Sequence, residues 1–239
     1  MDTNILKGKN VFISGATGGI GKSIAEALAN SGCNLFLTAS DDDNLEAVVG
    51  LFSDKAVNVY SCVGDLNSKD DVYKIIENAK QTFGNIDIVI NSAGIFPNVS
   101  FFDSDDDALE ATFNINYRSA FIFAREFAKE MVGNKWGRIV NIGSSSAYAG
   151  FKETSMYCST KHALLGLSRS MHDELKEFNV RTLCLSPSST QSKMGLATKG
   201  QDYSTFLEPT DVAKYVVFAI SFDSNIIAEE IFLKRMIIR

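Results

Sequence analysis

The segment Ser14-Gly-Ala-Thr-Gly-Gly-Ile-Gly21 decides how this chain folds. It follows the apolar run Asn10–Ser14 (NVFIS), which predicts a buried strand, and it opens the helical pattern Gly19–Ser31. A chain that turns sharply from strand to helix needs residues without a Cβ where its backbone approaches a pyrophosphate, and the helix N-terminus attracts that negative charge. We therefore predict a dinucleotide-binding turn, with its close approaches at Gly15, Gly19 and Gly21.

Short apolar runs alternate with helical patterns along the rest of the chain, as they do in βαβ units. Further strands are predicted at Asn34–Thr38, Val57–Cys62, Ile86–Ile90, Arg138–Ile142, Val180–Leu185 and Glu230–Lys234. Helices are predicted at Asn44–Phe52, at Ser68–Phe83, from the capping residues Ser104–Asp107 to about Met131, at Thr154–Phe178 and from Pro209 to about Ser221. The pattern predicts an α/β fold: one Rossmann-like domain over residues 1–239, a doubly wound parallel sheet with helices on both faces.

The segment Ser186–Leu207 is predicted to be a substrate-binding lid. It follows a strand, it holds no long helix or strand pattern, and it contains Pro187, Gly195 and Gly200. Irregular segments of this length in a compact domain are often lids that close over a site.

Composition and charge exclude several classes of protein. Apolar residues make up 45% of the chain and charged residues 22%, which is typical of a globular domain. Acidic side chains outnumber basic ones by 29 to 23 and no run is rich in Lys or Arg, so we expect no nucleic acid partner. The N-terminus lacks the pattern of a signal peptide and no stretch of about 20 apolar residues follows, so we expect a cytoplasmic protein that does not enter membranes. The four scattered cysteines point to neither a metal site nor disulfides.

Tyr157 and Lys161 are candidate catalytic residues because they are four positions apart in a predicted helix, which places them on one face. Reduction of a ketone needs a hydride and a proton, and free tyrosine has a pKa near 10. Lowering that pKa by about three units takes roughly 4 kcal/mol, which an ammonium about 4 Å away supplies at an effective dielectric near 20. We therefore expect Tyr157 to transfer the proton and Lys161 to lower its pKa.

Several motifs together resemble those of the classical short-chain dehydrogenase/reductase family. They are the turn spacing G-x-x-x-G-x-G, Asp65-Leu66, Asn91-Ser-Ala-Gly94, Ser144 after the strand RIVNI, and Tyr157-Cys-Ser-Thr-Lys161. The resemblance spans about Gly8 to Asp211. It implies a catalytic tetrad of Asn116, Ser144, Tyr157 and Lys161. In that tetrad Ser144 would hydrogen-bond the substrate oxygen, Asn116 would anchor a water, and Lys161 would also hold the nicotinamide ribose.

The same resemblance implies a nicotinamide cofactor. The residues expected to bind it are Gly15, Thr17, Gly18, Gly19, Ile20, Gly21, Ser40, Asp65, Leu66, Asn91, Ala93, Gly94, Tyr157, Lys161, Pro187, Thr190 and Ser192. The chain departs from the family where Pro187-Ser-Ser-Thr-Gln-Ser192 replaces a Pro-Gly pair and a later threonine, although Ser192 keeps the hydroxyl. The second strand ends in Ala39-Ser40-Asp41, so the sequence leaves open whether the cofactor is NAD(H) or NADP(H).

We therefore predict an NAD(P)-dependent oxidoreductase that moves a hydride between its cofactor and a small-molecule carbonyl or secondary alcohol. A non-catalytic dinucleotide-binding sensor or scaffold with the same fold is the alternative, and a nucleotide-sugar epimerase or dehydratase, usually a longer chain, is a third. The aromatic residues Phe96, Tyr148, Phe151 and Phe206 fit an apolar substrate pocket or the core equally well. The resemblance implies a homodimer or homotetramer formed through two long helices, about Asp107–Met131 and Thr154–Phe178.

Overall fold

A parallel sheet of seven strands forms the centre of the computed structural model, which describes residues 4–198 and 200–236. The strands are β1 (Asn10–Ser14), β2 (Asn34–Ala39), β3 (Val59–Val63), β4 (Ile88–Asn91), β5 (Gly137–Ile142), β6 (Val180–Pro187) and β7 (Glu230–Leu233). Their order across the sheet is β3-β2-β1-β4-β5-β6-β7. Both ends of the predicted 1–239 domain, and Lys199 within the predicted lid, lie outside the described residues.

Helices cover both faces of the sheet. They are α1 (Gly19–Asn30), α2 (Asp42–Gly50), α3 (Lys69–Phe83), α4 (Asp106–Phe113), α5 (Ser119–Asn134), α6 (Ser155–Leu175), α7 (Lys193–Leu196) and α8 (Pro209–Ile220). One apolar core packs α1, α2 and α8 against the sheet, and a second packs α3 and α5 against the opposite face. The predicted Rossmann-like architecture is confirmed. Each helix among the described residues is too short or too polar to cross a membrane.

Strand β1 shows how the sequence builds two cores at once. Val11 and Ile13 belong to the first core, whereas Phe12 lies in the second, with ring centroids 4.6 Å from Phe123 and 5.0 Å from Phe127. Successive side chains of a strand point to opposite faces, so a strand covered on both sides is apolar throughout. This is why Val11, Phe12 and Ile13 are all apolar and all buried.

The predicted long helical segment ending near Met131 is present but is not α-helical throughout. It is divided into α4 and α5 by a π-helical turn at Asn114–Arg118, and it starts where Asp105 accepts a hydrogen bond from the backbone of Ala108. A π turn widens the helix by one residue per turn and changes the direction of the side chains on it. Its buried member is Asn116, one of the predicted catalytic residues.

Other element boundaries agree with the predictions or differ from them by at most three residues. Helix α2 begins at Asp42 because the side chain of Asp41 accepts a hydrogen bond from the backbone of Asn44, which closes the first turn. Strand β6 continues to Pro187, because β7 pairs with it as far as Leu233.

Candidate active site

The glycine turn between β1 and α1 leaves no room for side chains at two positions. Gly15 has φ of +68°, and a Cβ there would lie 2.7 Å from the Ala93 backbone. A Cβ on Gly21 would lie 2.2 Å from the carbonyl oxygen of Gly15. The turn can therefore close only with glycine at these positions, and it leaves the start of α1 open toward the cleft.

A cleft of about 1320 Å³ runs along the carboxyl ends of the strands. In doubly wound sheets a ligand binds at this edge, where the order of the strands reverses, here between β1 and β4. Its lining includes these predicted site residues: Gly15, Thr17, Gly18, Gly19, Ile20, Ser40, Asp65, Leu66, Ala93, Gly94, Ser144, Tyr157, Lys161, Pro187, Thr190 and Ser192. The remaining predicted residues, Gly21, Asn91 and Asn116, lie behind the lining.

Tyr157 and Lys161 lie one turn apart near the start of α6, and both are buried. The ammonium of Lys161 is 5.6 Å from the centroid of the Tyr157 ring and donates a hydrogen bond to the carbonyl oxygen of Ile142 at 2.7 Å. The ring of Phe96 meets that of Tyr157 edge-on, with centroids 4.8 Å apart. The phenol is therefore held between the sheet and the loop after β4.

Burial dominates the protonation of this pair in the protein alone. It raises the pKa of Tyr157 to about 12, while a hydrogen bond with Ser144 acts to lower this pKa and a coulombic interaction with Cys158 acts to raise it. Burial also lowers the pKa of Lys161 to about 8, against the opposing influence of Cys184. In the protein without cofactor, burial is therefore the largest influence on the pKa of Tyr157, and the ammonium of Lys161 is directed at the carbonyl oxygen of Ile142.

Ser144 follows β5 and caps a short 3-10 turn, Ser145–Ala147. Its Oγ accepts a hydrogen bond from the backbone N–H of Ser146 at 3.1 Å. This bond fixes the side-chain rotamer and leaves the hydroxyl hydrogen to be donated. Ser144 can therefore donate a hydrogen bond to the oxygen of Tyr157 or to an oxygen bound next to it.

Asn116 supports the backbone around Gly94. Its Oδ1 accepts from the N–H of Ile95 at 2.8 Å, and its Nδ2 donates to the carbonyl of Ile95 at 3.0 Å and to Thr160 at 3.2 Å. A Cβ on Gly94 would lie 3.3 Å from Asn116 Oδ1 and 3.9 Å from Lys161 Nζ. Three of the predicted site residues thus meet at the wall of the cleft, with Asn116 behind Gly94 and Lys161.

A chain of buried polar side chains that the sequence analysis missed fixes α6 to the sheet. Asn91 Nδ2 donates to Asn141 Oδ1 at 2.8 Å, Asn141 Nδ2 donates to Ser168 Oγ at 2.8 Å, and Ser168 Oγ donates to the carbonyl of Leu164. The signal was the asparagine between the apolar residues Val140 and Ile142 of the strand RIVNI, since a buried amide needs a partner. Asn91 therefore helps to hold the ends of β4 and β5 together and, through Asn141 and Ser168, helps to hold α6 on the sheet.

The part of the cleft at the carboxyl ends of β2 and β3 is lined by both polar and apolar residues. Ser40 and Leu66 line it beside Asp65, whose carboxylate accepts a hydrogen bond from the backbone of Asn67. Asp41, which caps α2, is not part of this lining. Nothing in this arrangement selects NAD(H) over NADP(H).

The segment after β6 forms the opposite wall. Ser192 caps the short helix α7 by accepting a hydrogen bond from Gly195 N, and Thr190 Oγ1 donates to the carbonyl of Ser188. A Cβ on Gly19 would lie 3.3 Å from Ser192 Cβ, so this segment packs directly on the glycine turn. Of the four aromatic candidates, Phe96, Tyr148 and Phe151 line the cleft, whereas Phe206 is buried behind it.

Comparison with known proteins gives a consistent result. The family model for short chain dehydrogenases matches residues 9–202. An uncharacterized oxidoreductase of Staphylococcus saprophyticus is 30% identical over 227 residues, covering 95% of this chain and 97% of that protein. Among solved structures, a metagenomic short-chain oxidoreductase in complex with NADP matches with a TM-score of 0.85 and 24% identity, covering 97% of this chain and 99% of the other. A 3-ketoacyl-(acyl-carrier-protein) reductase from Brucella melitensis complexed with NADH has a TM-score of 0.87 and 22% identity, covering 96% and 97%.

Proposed function

This chain belongs to the short-chain dehydrogenase family and is an NAD(P)-dependent oxidoreductase, and from that premise we propose that Tyr157 exchanges a proton with the oxygen of a carbonyl or secondary alcohol substrate. One observation supports this proposal above the others. The side chains of Tyr157, Ser144 and Lys161 line the same cleft as the glycine turn. A substrate oxygen beside Tyr157 would therefore lie in the cavity that receives the cofactor.

The residues of the cleft fit a dinucleotide. The cradle at Gly15 and Gly21 excludes a Cβ, which is the requirement for close approach of a pyrophosphate to the backbone. Gly15, Gly18 and Gly19 would hold the pyrophosphate, Ser40, Asp65 and Leu66 the adenosine, and Lys161 with Pro187 and Thr190 the nicotinamide riboside. When bound, the nicotinamide supplies or accepts the hydride.

The chain's own residues divide the remaining work. Ser144 donates its hydroxyl hydrogen to the substrate oxygen, because its Oγ already accepts from Ser146. Tyr157 gives its proton to that oxygen during reduction or takes it during oxidation. Lys161 holds its charge beside the phenol, and Asn116 keeps the loop at Gly94 and Ile95 in place. Phe96 covers one side of the phenol and limits the access of water.

Replacing Tyr157 with Phe tests the assignment, because it removes only the phenolic oxygen. We expect turnover of a carbonyl panel to fall about 10²–10⁴-fold while the affinity for NADH or NADPH stays nearly unchanged. Tyr215→Phe, on the exposed side of α8, is the matched control. Equal turnover by the Tyr157 variant and the native protein would remove Tyr157 from the mechanism.

The same panel separates an enzyme from a sensor. A sensor or scaffold would bind the nucleotide but would not oxidise it in the presence of any carbonyl of the panel. The proposed enzyme turns over at least one class of ketone, aldehyde or sugar derivative. Titrating the protein with NADH and with NADPH beforehand decides which cofactor the panel should contain.

We also propose that the protein forms a homo-oligomer and acts in the cytoplasm. Leu109 on α4 and Phe121 on α5 expose large apolar side chains, as expected of helices that pack against a second copy. Sedimentation at micromolar concentration should give a dimer or tetramer, and a monomer would contradict the proposal.

A further inference from the structure

The cleft is basic although the protein is acidic. Among the described residues that line it, five are basic and two are acidic, while the whole chain has a formal net charge of −6. A cavity lined by charges of one sign focuses the potential inside it and attracts ligands of the opposite sign. Some of these basic residues lie where they would attract the cofactor pyrophosphate. The others are available to bind a different anion.

Three of the five basic residues already have a role or a partner. Lys161 belongs to the proposed catalytic group, Lys152 forms an ion pair with Glu153 at 3.7 Å, and Lys193 follows Ser192, which packs on the glycine turn. Lys193 also borders a small recess together with Thr17 and Gly18, on the cofactor side. The two that remain are Lys234 and Arg235.

The backbone of Lys234 and Arg235 lies far across the sheet from the pyrophosphate position. They directly follow β7, which is four strands from β1 across the sheet, or roughly 19 Å at about 4.8 Å per strand. The adenosine end lies on the other side of β1, at β2 and β3. A charge at the β7 end therefore faces whatever enters the cleft beyond the nicotinamide.

The ammonium of Lys234 is held against an aromatic wall. It lies 4.9 Å from the centroid of Phe232, whose ring stacks on Tyr148 with centroids 4.9 Å apart and an interplanar angle of 14°. The acidic residue of that strand, Glu230, is engaged elsewhere: it forms an ion pair with Arg169 and accepts a hydrogen bond from Tyr148. Within the described residues, Lys234 has no ion-pair partner.

The guanidinium of Arg235 has only neutral partners among the described residues. It donates to the side-chain oxygens of Thr205 and Gln201 and lies 4.8 Å from the ring centroid of Phe206. Its Nε is shielded from solvent and has no hydrogen-bond partner in that part of the chain. A half-buried arginine without an acid is a suitable partner for a carboxylate or phosphate.

We propose that the substrate carries an anionic group, a carboxylate or a phosphate, and that Lys234 and Arg235 bind this group at the β7 end of the cleft. The proposal rests on the proposed function insofar as it describes the substrate of that reaction. The aromatic wall of Phe232 and Tyr148 would pack against the apolar part of the substrate, and the reacting oxygen would lie beside Tyr157.

Binding tests the proposal without turnover. With saturating NADH or NADPH, and again without nucleotide, the protein is titrated with benzoate, phenyl phosphate and the neutral isostere benzamide. We expect benzoate or phenyl phosphate to bind at least about tenfold more tightly than benzamide, and Lys234→Gln to remove most of that preference. Arg235→Lys keeps the charge and should retain much of the preference even if the segment around Thr205 shifts. Lys74→Gln, on the exposed face of α3, makes the same change in net charge outside the cleft and should have no effect.

Turnover provides the second arm, with 4-acetylbenzoate and 4-acetylbenzamide as a matched pair of ketones. The ratio of their kcat/KM values should favour the acid and should fall about tenfold in Lys234→Gln. Equal binding of benzoate and benzamide, or a preference that Lys234→Gln leaves intact, overturns the anionic subsite. Absence of turnover with every ketone, with the binding preference intact, contradicts the proposed reaction and leaves the subsite supported.

Discussion

The ammonium of Lys161 lies 5.6 Å from the ring centroid of Tyr157 but gives its hydrogen bond to the carbonyl oxygen of Ile142. The two side chains are thus close in space, yet the lysine is not bonded to the phenol. Because both are buried, the pKa of Tyr157 is raised to about 12 and that of Lys161 is lowered to about 8, so at neutral pH the phenol is protonated and the lysine keeps its charge. In this state the phenol is a proton donor, which suits carbonyl reduction.

The pH dependence of the two reaction directions should therefore differ. A phenol that stays protonated through neutral pH can donate a proton throughout, so the rate of carbonyl reduction should be nearly constant from about pH 6 to 7.5, below the pKa of about 8 at which Lys161 loses its charge. Alcohol oxidation needs the phenolate, so its rate should rise by up to about tenfold per pH unit over the same range. Steady-state rates in both directions check this, and an oxidation rate that is already maximal at neutral pH would show that burial no longer controls Tyr157 in the complex.

Replacing Lys161 with Met should stabilise the protein while abolishing turnover. The folded state lowers the pKa of Lys161 from 10.5 to about 8, so it binds that proton less tightly than the unfolded chain does. The native protein bears this cost fully below about pH 8 and loses it between pH 8 and 10.5 as the folded lysine deprotonates. The free energy of unfolding of the variant should exceed that of the native protein by about 1–3 kcal/mol at neutral pH.

Urea unfolding near pH 7 and near pH 10 measures this difference, which should shrink at the higher pH. Lys74→Met, at an exposed position, should show no such change with pH. A variant that is less stable than the native protein at pH 7 would mean that the bond to Ile142 outweighs the cost of burial.

Gly21→Ala should disrupt the turn. The added methyl group would lie 2.2 Å from the carbonyl oxygen of Gly15, so α1 must shift away from β1 and the site for the pyrophosphate is lost. We expect nucleotide affinity to fall at least about 100-fold, with a loss of about 1–3 kcal/mol in stability. Gly133→Ala in α5, where a Cβ has no neighbour within 4 Å, should instead stabilise by about 0.5–1 kcal/mol. Fluorescence titration and thermal unfolding check both variants.

Asn116→Ala should reduce both stability and turnover. It leaves the N–H and carbonyl of Ile95 without their partner, at a cost of about 1–3 kcal/mol, and it frees the loop that carries Gly94. Asn114→Ala removes a bond to Asn67 from the same π turn and serves as the control. Native kcat in the Asn116 variant would show that the loop keeps its position without this support.

The sequence contained the fold and most of the candidate site because both depend on local patterns. Alternating apolar runs define the strands, and the spacing of Tyr157 and Lys161 fixes one helical face. The π turn at Asn114–Arg118 was missed, because a single additional residue in a turn hardly alters apolar periodicity. The bonds between Asn141 and Ser168, and between Arg235 and Thr205, join residues far apart in the chain and depend on how the elements pack. The protonation of Tyr157 depends on burial, which spacing alone does not give.

The anchoring of α6 to the sheet through Asn141 and Ser168 also affects how mutational data on this enzyme should be interpreted. In a saturation screen Asn141 would score as poorly as a reacting group, although it lies inside the sheet and does not line the cleft. Grafting Tyr157 and Lys161 onto another scaffold without the hydrogen bond between Asn141 and Ser168 would transfer the reactive groups but not their alignment.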